Sequence, residues 1–265
     1  MDNELAKAQE EIRRKLGLDN DTTQQEPQSV VSMSSKAARS ILSRCRRDPE
    51  QIAKDAESKE RCERIARWQS LCSKVGDRYS NCVLARWKYH GDQSQQDRQR
   101  AVISRVAEYM RQLPERVQGG CGVLLLGPPG TGKDFLVSAL MREGVLAHGM
   151  KVEWANGVDL YAAFRDAISG ETSEKKLVSQ WVVPSVLVLS DPLPPRGALT
   201  DFQASMLFRI VDSRYRAMRP TWVTLNVQDR NEACDRMGSQ VVSRLADSAL
   251  TCRCEWQDFR SVVHK

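Results

Sequence analysis

The stretch GGCGVLLLGPPGTGKDFLVSAL, residues 119–140, limits what this chain can fold into more than any other. A glycine turn leads into a short run that is apolar throughout, then a glycine-rich loop, then a helix-forming segment. A short apolar run without alternation predicts a parallel strand buried on both faces. The spacing Gly127-x4-Gly132-Lys133 places glycines where backbone N–H groups must turn inward. Such a loop cradles phosphate oxygens, and the start of the following helix adds its partial positive charge. Gly127, Pro128, Pro129, Gly130, Thr131, Gly132, Lys133, Asp134 and Phe135 are the expected nucleotide-binding residues, with Lys133 reaching the terminal phosphates. The position after the lysine normally carries a hydroxyl for a magnesium ion, and here it is Asp134.

Downstream, strand and helix patterns alternate. KVEWANGVDL reads as a second strand, YAAFRDAISG as a helix, SVLVLSD as a third strand, TDFQASMLFRIVDSRYRAM as a long helix and PTWVTLNV as a fourth strand. That alternation predicts an α/β domain with a mainly parallel central sheet flanked by helices. Ahead of it lies a helical N-terminal region, residues 1–75, with a polar linker around 19–35 and a helix break at Pro49; the domain proper spans 76–265. The segment 93–118 reads as one amphipathic helix with Val102, Ile103, Val106, Tyr109, Met110 and Leu113 on one side.

The third strand carries the partner of the phosphate loop. Aligned by its hydrophobic run, Ser190 falls where a metal-binding aspartate is expected, and Asp191 where many ATPases carry the carboxylate that orients water. Three arrangements are open. Carboxylate and hydroxyl have exchanged sides of one ion, with Asp134 and Ser190 as ligands, since a hard Mg²⁺ takes oxygen from either. The site has decayed, with Asp134 repelling phosphate. Or the strand is shifted by one residue and Asp191 is itself the ligand.

Composition adds exclusions. The chain has 265 residues, 41% hydrophobic, with a net charge of +6. Residues 35–118 hold 19 Lys and Arg against 11 Asp and Glu, so the basic surplus precedes the main domain and suits nucleic acid or an acidic partner as well as a solvated helix face. No apolar run approaches the length needed to cross a bilayer, and the charged N-terminus is unlike a signal sequence, so no membrane and a cytoplasmic location are expected. The eight cysteines include no tight CxxC pair. Cys62, Cys72 and Cys82 with His90 lack a zinc-ligand spacing, and Cys252 and Cys254 suit one face of a packed strand.

From about Cys72 onward the chain resembles the DnaC-type replicative helicase loaders and their IstB-like relatives, which are AAA+ ATPases. The resemblance is carried in order by GDRYSNCVLARW, GPPGTGKDFL, GVDLYAAF, VLVLSD, VTLN, VVSRL and EWQDFRS. It implies an AAA+ P-loop fold that uses ATP and Mg²⁺, a homo-oligomer when ATP-bound, a replicative hexameric DNA helicase as partner, and contact with single-stranded DNA. It implies Asn226 as the sensor near the γ-phosphate, Arg244 as an arginine finger acting in the neighbouring subunit's site, and Arg260 as the second sensor. With Asp191 these form the expected catalytic set. For DNA, Arg165, Lys175 and Lys176 are the expected contacts, whereas Tyr161 and Phe164 read as helix core. Two rival functions are a transposition helper ATPase and a nucleotide-dependent adaptor with little hydrolysis.

Overall fold

The computed structural model describes residues 49–168, 170 and 174–260. The expected helix at 1–18 and the linker around 19–35 lie outside the described residues. Five strands form one sheet in the order β2-β3-β4-β1-β5, every neighbouring pair parallel: β1 Val123–Leu126, β2 Val152–Asn156, β3 Val186–Ser190, β4 Thr221–Leu225 and β5 Leu250–Arg253. The helices are α1 Pro49–Val75, α2 Gln93–Arg111, α3 Leu113–Gln118, α4 Lys133–Leu146, α5 Gly157–Ile168, α6 Glu174–Val182, α7 Asp201–Arg216, α8 Arg230–Met237 and α9 Ser239–Ala246. Among the described residues no helix is long and apolar enough to cross a membrane.

The strand period of two splits the core into two layers. Leu124, Leu126, Leu187, Leu189, Val223 and Leu225 pack with residues of α5 to α9. Val123, Leu125, Val186, Val188, Trp222 and Cys252 pack on the other face with Trp68 and Leu71 of α1, residues of α2, and Leu136, Leu140 and Met141 of α4. Cys252 and Cys254 both join this second layer. Tyr161 and Phe164 are buried in the first layer, while Arg165 and Lys176 are exposed; the side chain of Lys175 lies outside the described residues.

One feature differs from the sequence reading. The expected single helix over 93–118 is two helices meeting at Gln112, because Pro114 has no N–H and its ring clashes with the carbonyl four residues back. The chain divides into two compact units between Lys54 and Asp55. From Asp55 onward α1 is part of the larger unit: Trp68 and Leu71 enter its core. Arg64 donates to the carbonyl of Ala147 at 2.7 Å and Arg67 to that of Gly149 at 2.6 Å, which places two cations at the C-terminal end of α4.

Arg214 in α7 is fully buried, and among the described residues no carboxylate pairs with it. Its three nitrogens donate to five carbonyls, those of Trp181, Val182, Pro184, Ser185 and Pro220, and to the Thr221 hydroxyl. Burial pulls its pKa down to about 9, which still leaves it a cation at neutral pH. It closes the C-terminus of α6 and ties together the chain entering β3 and β4.

Candidate nucleotide-binding site

The phosphate loop joins β1 to α4, and three of its glycines hold positive φ: 144° at Gly127, 79° at Gly130 and 85° at Gly132. Space forbids a side chain at Gly127 as well, and at Gly130 the Asp258 side chain would have to move. A Cβ would lie 2.4 Å from the Cys254 carbonyl oxygen at Gly127 and 1.8 Å from the Asp258 carboxylate at Gly130. The C-terminal segment therefore forms the wall behind the loop. Trp256 donates its ring N–H to the Thr131 carbonyl at 2.9 Å, and the Phe259 N–H donates to the Gly130 carbonyl at 3.0 Å. Trp87 closes over Gly132 and meets Phe135 and Trp256 edge-on, with ring centroids 5.6 Å and 6.2 Å away.

A cavity of about 480 Å³ opens beside this loop. It brings together Lys133, Asp134, Asp191, Asn226 and Arg260 with Tyr79 and Cys82 from the chain after α1. Burial pushes the Cys82 thiol up to about 11, so it stays protonated at neutral pH. Among the described residues no three His, Cys, Asp or Glu side chains gather as metal ligands.

Lys133 folds back onto its own loop. Its ammonium donates to the Gly127 and Pro128 carbonyls, both at 2.7 Å, and to Asn226 Oδ1 at 2.9 Å. Burial draws its pKa down, and the nearby Cys254, Asp134 and Asp191 oppose that shift.

Register accounts for the surroundings of Asp134. Even-numbered positions of β3 and β4 face the layer that contains α4, and Ser190 pairs with Thr224 across the two strands. Both hydroxyls therefore meet the first turn of α4: Asp134 Oδ1 accepts from Ser190 at 2.9 Å and from Thr224 at 3.0 Å. Ser190, rather than Asp191, is the third-strand residue that touches Asp134. Sequence reasoning missed Thr224. Its signal was available, because it lies two residues before Asn226 on a strand and so shares the face of Trp222.

Asp191 follows β3 with φ of 52°, a left-handed conformation uncommon outside glycine. Its N–H donates to the Thr224 carbonyl at 3.0 Å. Its carboxylate accepts from the Asn226 backbone N–H at 3.2 Å and closely from the Asn226 side-chain amide. Burial raises its pKa, against the pull of the Asn226 backbone N–H and Lys133. Asn226 thus links the two charged groups, accepting from Lys133 and donating to Asp191.

Arg260 lines the same cavity, close enough to Lys133 to lower its pKa further. Arg244 does not line it. It lies in α9, where Nε donates to Asp212 at 2.7 Å and the guanidinium rests over the Phe208 ring at 4.7 Å. Of the expected set, the fold gathers Lys133, Asp134, Ser190, Asp191, Asn226 and Arg260 and leaves Arg244 elsewhere.

The family described as IstB-like ATP binding protein matches residues 59–228. No curated protein matches the chain significantly. Among solved structures, the crystal structure of the DnaC helicase loader is similar with a TM-score of 0.57 at 23% identity, over 67% of this chain and 99% of that one. The crystal structure of DnaI is similar with a TM-score of 0.52 at 16% identity, over 69% and 93% of the two chains. A replication initiator, DnaA bound to AMPPCP and single-stranded DNA, is similar with a TM-score of 0.54 at 16% identity, over 69% of this chain and 51% of that one. These likenesses extend through the all-parallel sheet and its helices, so the fold is that of AAA+ P-loop proteins. The match covers well over half of the sequence and includes the phosphate loop, β3 and the end of β4, and the chain belongs to the IstB-like ATP binding proteins.

Proposed function

We propose that this chain is an ATP-dependent helicase loader of the cytoplasm. It binds ATP with Mg²⁺ in the cavity, assembles as a homo-oligomer when ATP-bound, contacts single-stranded DNA, and delivers a replicative hexameric DNA helicase during replication initiation or restart. The observation that carries this reading is the convergence of Lys133, Asp191, Asn226 and Arg260 on one cavity in a chain whose fold follows a helicase loader along 99% of that loader's length.

The residues present fit the groups this function needs. Glycines with positive φ give the loop no side chains of its own at three positions, and the cavity is large enough for a nucleotide. The Lys133 ammonium would exchange loop carbonyls for phosphate oxygens. Around Asp134 the donors are all oxygen, one carboxylate and the hydroxyls of Ser190 and Thr224, a set that a magnesium ion accepts with waters completing its shell. When bound, the ion would neutralise charge on the phosphates. Asp191 orients the attacking water, Asn226 holds Asp191 and senses the terminal phosphate, and Arg260 closes on the nucleotide. The products are ADP and phosphate. The exposed Arg165 and Lys176 suit a DNA backbone, and the region 1–75 suits the helicase.

Arg244 is assigned to the neighbouring subunit's site, because it stands outside its own cavity, partly exposed on a helix whose exposed residues Ser239, Gln240 and Ser243 are polar. Arg244→Ala is expected to lower turnover by about 10³-fold, the size of an arginine-finger loss, with ATP affinity nearly unchanged. Mixing it with Lys133→Ala, itself inactive, should recover part of the activity, since each subunit supplies what the other lacks. Unchanged turnover in Arg244→Ala alone would remove the assignment.

The loader reading is tested by gel filtration of the full-length chain with a hexameric replicative helicase, with ATP and with ADP. ATP-dependent co-elution and transfer of the helicase to a single-stranded circle are expected. Co-elution with a transposase instead would support the transposition helper. The second reading, an adaptor with little hydrolysis, has its own support in the aspartate after the loop lysine. Steady-state turnover that stays negligible with DNA and helicase present would favour it.

A further inference from the structure

Arg236 in the last turn of α8 is the residue whose placement the nucleotide machinery described above leaves unexplained. Its side chain is mostly buried, and its donors spread in three directions. Nε donates to the Gly197 carbonyl at 2.9 Å, one Nη to the Pro194 carbonyl at 2.5 Å, and the other Nη to the Asn226 carbonyl at 3.3 Å and to Glu232 at 3.3 Å. Its own carbonyl accepts the Leu199 N–H at 2.8 Å. One residue therefore grips the loop 192–200 at three points and the end of β4 at a fourth.

That loop begins immediately after Asp191 and contains Pro192, Pro194 and Pro195. Prolines have no N–H, so the loop is poor in internal donors for its own carbonyls. Arg236 supplies donors from outside. The same guanidinium holds the carbonyl of Asn226, whose N–H and side chain hold the Asp191 carboxylate. Asp191 itself keeps a left-handed φ, a conformation that persists only where its surroundings fix it.

We propose that Arg236 is a positioning residue for nucleotide hydrolysis: by tying Pro194 and Gly197 to the Asn226 carbonyl, it fixes Asp191 and Asn226 relative to each other across the cavity. It touches neither nucleotide nor water, and it acts through these two residues. A guanidinium is required because its rigid fork reaches three carbonyls at once, whereas an ammonium is a single point. The proposal rests on the ATPase reading of the site.

The test uses the full-length chain with Arg236→Lys and Arg236→Met. Turnover, affinity for a non-hydrolysable ATP analogue, melting temperature and amide exchange of residues 191–199 are measured on each. Because a small misplacement of reacting groups costs up to about 10²-fold, kcat is expected to fall by about 10- to 10²-fold in both variants. Analogue affinity should stay within about threefold, the pattern of an interaction that matters in the transition state. Amides of 191–199 should exchange faster in both nucleotide-free variants. The lysine variant keeps the charge and is the folded control should the methionine variant not fold, and it should not restore kcat. Unchanged kcat in both variants, or affinity and kcat falling in equal proportion, overturns the proposal. If the wild-type protein binds ATP but does not turn it over, the ATPase reading fails by itself. Exchange then still decides whether Arg236 holds the Asp191 loop, and unchanged exchange overturns that as well.

Discussion

Asp134→Thr is expected to lower Mg²⁺-dependent ATP turnover by about 10²- to 10³-fold, the loss that follows removal of one preorganised electrostatic partner. The variant restores the residue type that phosphate loops usually carry, yet it removes the carboxylate that Ser190 and Thr224 both contact. A cluster of three hydroxyls has no charge to offer a divalent ion. Asp134→Thr combined with Ser190→Asp should recover most of the activity, because the carboxylate returns on the β3 side and the hydroxyl on the α4 side. Ser190→Asp alone places two carboxylates about 3 Å apart, where like charges disfavour joint ionisation. It is therefore expected to lower the melting temperature without metal and to regain it with Mg²⁺. If Asp134→Thr equals or exceeds the wild type, the exchange of ligands between the two sides is wrong and Asp191 becomes the ligand to test.

Arg214→Met is expected to destabilise the fold by roughly 3–5 kcal/mol in urea unfolding, since the loss leaves several buried acceptors without donors. For a chain of this size that corresponds to a fall in melting temperature of roughly 10 °C. The methionine fills much of the volume, so the penalty comes mainly from the five carbonyls and the hydroxyl that Arg214 satisfies. Arg214→Lys retains a cation at the end of α6 and should lie between the two, because one ammonium cannot reach all of these groups. Nucleotide affinity of the folded fraction should not change, since Ser185 and Pro220 enter β3 and β4 at the ends opposite the cavity. A change below about 1 kcal/mol for the methionine variant would show that backbone rearrangement or water replaces the guanidinium.

The contrast between these two residues shows how the chain uses charge. Asp134 stands at a cavity where two hydroxyls donate to it, and these come from two adjacent strands in register. Arg214 stands in the core, and its compensation comes from five backbone carbonyls and the Thr221 hydroxyl. In the proposed function the first arrangement serves binding, and the second serves the fold. Asp134 is marked by its place directly after the loop lysine, whereas no local pattern marks Arg214.

The sequence by itself determined the phosphate loop, the four strands from VLLL to TWVTL and the parallel α/β class, because these rest on short-range rules. Glycines at fixed spacing, apolar runs too short for helices and the periods of strand and helix are all local. It also determined that Ser190 and Asp191 are the third-strand residues facing the loop. What it could not decide is which of the two meets Asp134, since that depends on strand register. The tertiary structure alone brought Thr224 beside Ser190, set the C-terminal segment behind the loop, and packed Trp68 and Leu71 of α1 into the core. It alone separated Arg244 from the cavity and gave Arg236 its three carbonyls. These contacts join residues distant in the sequence, and only the packing of the sheet and its helices brings them together.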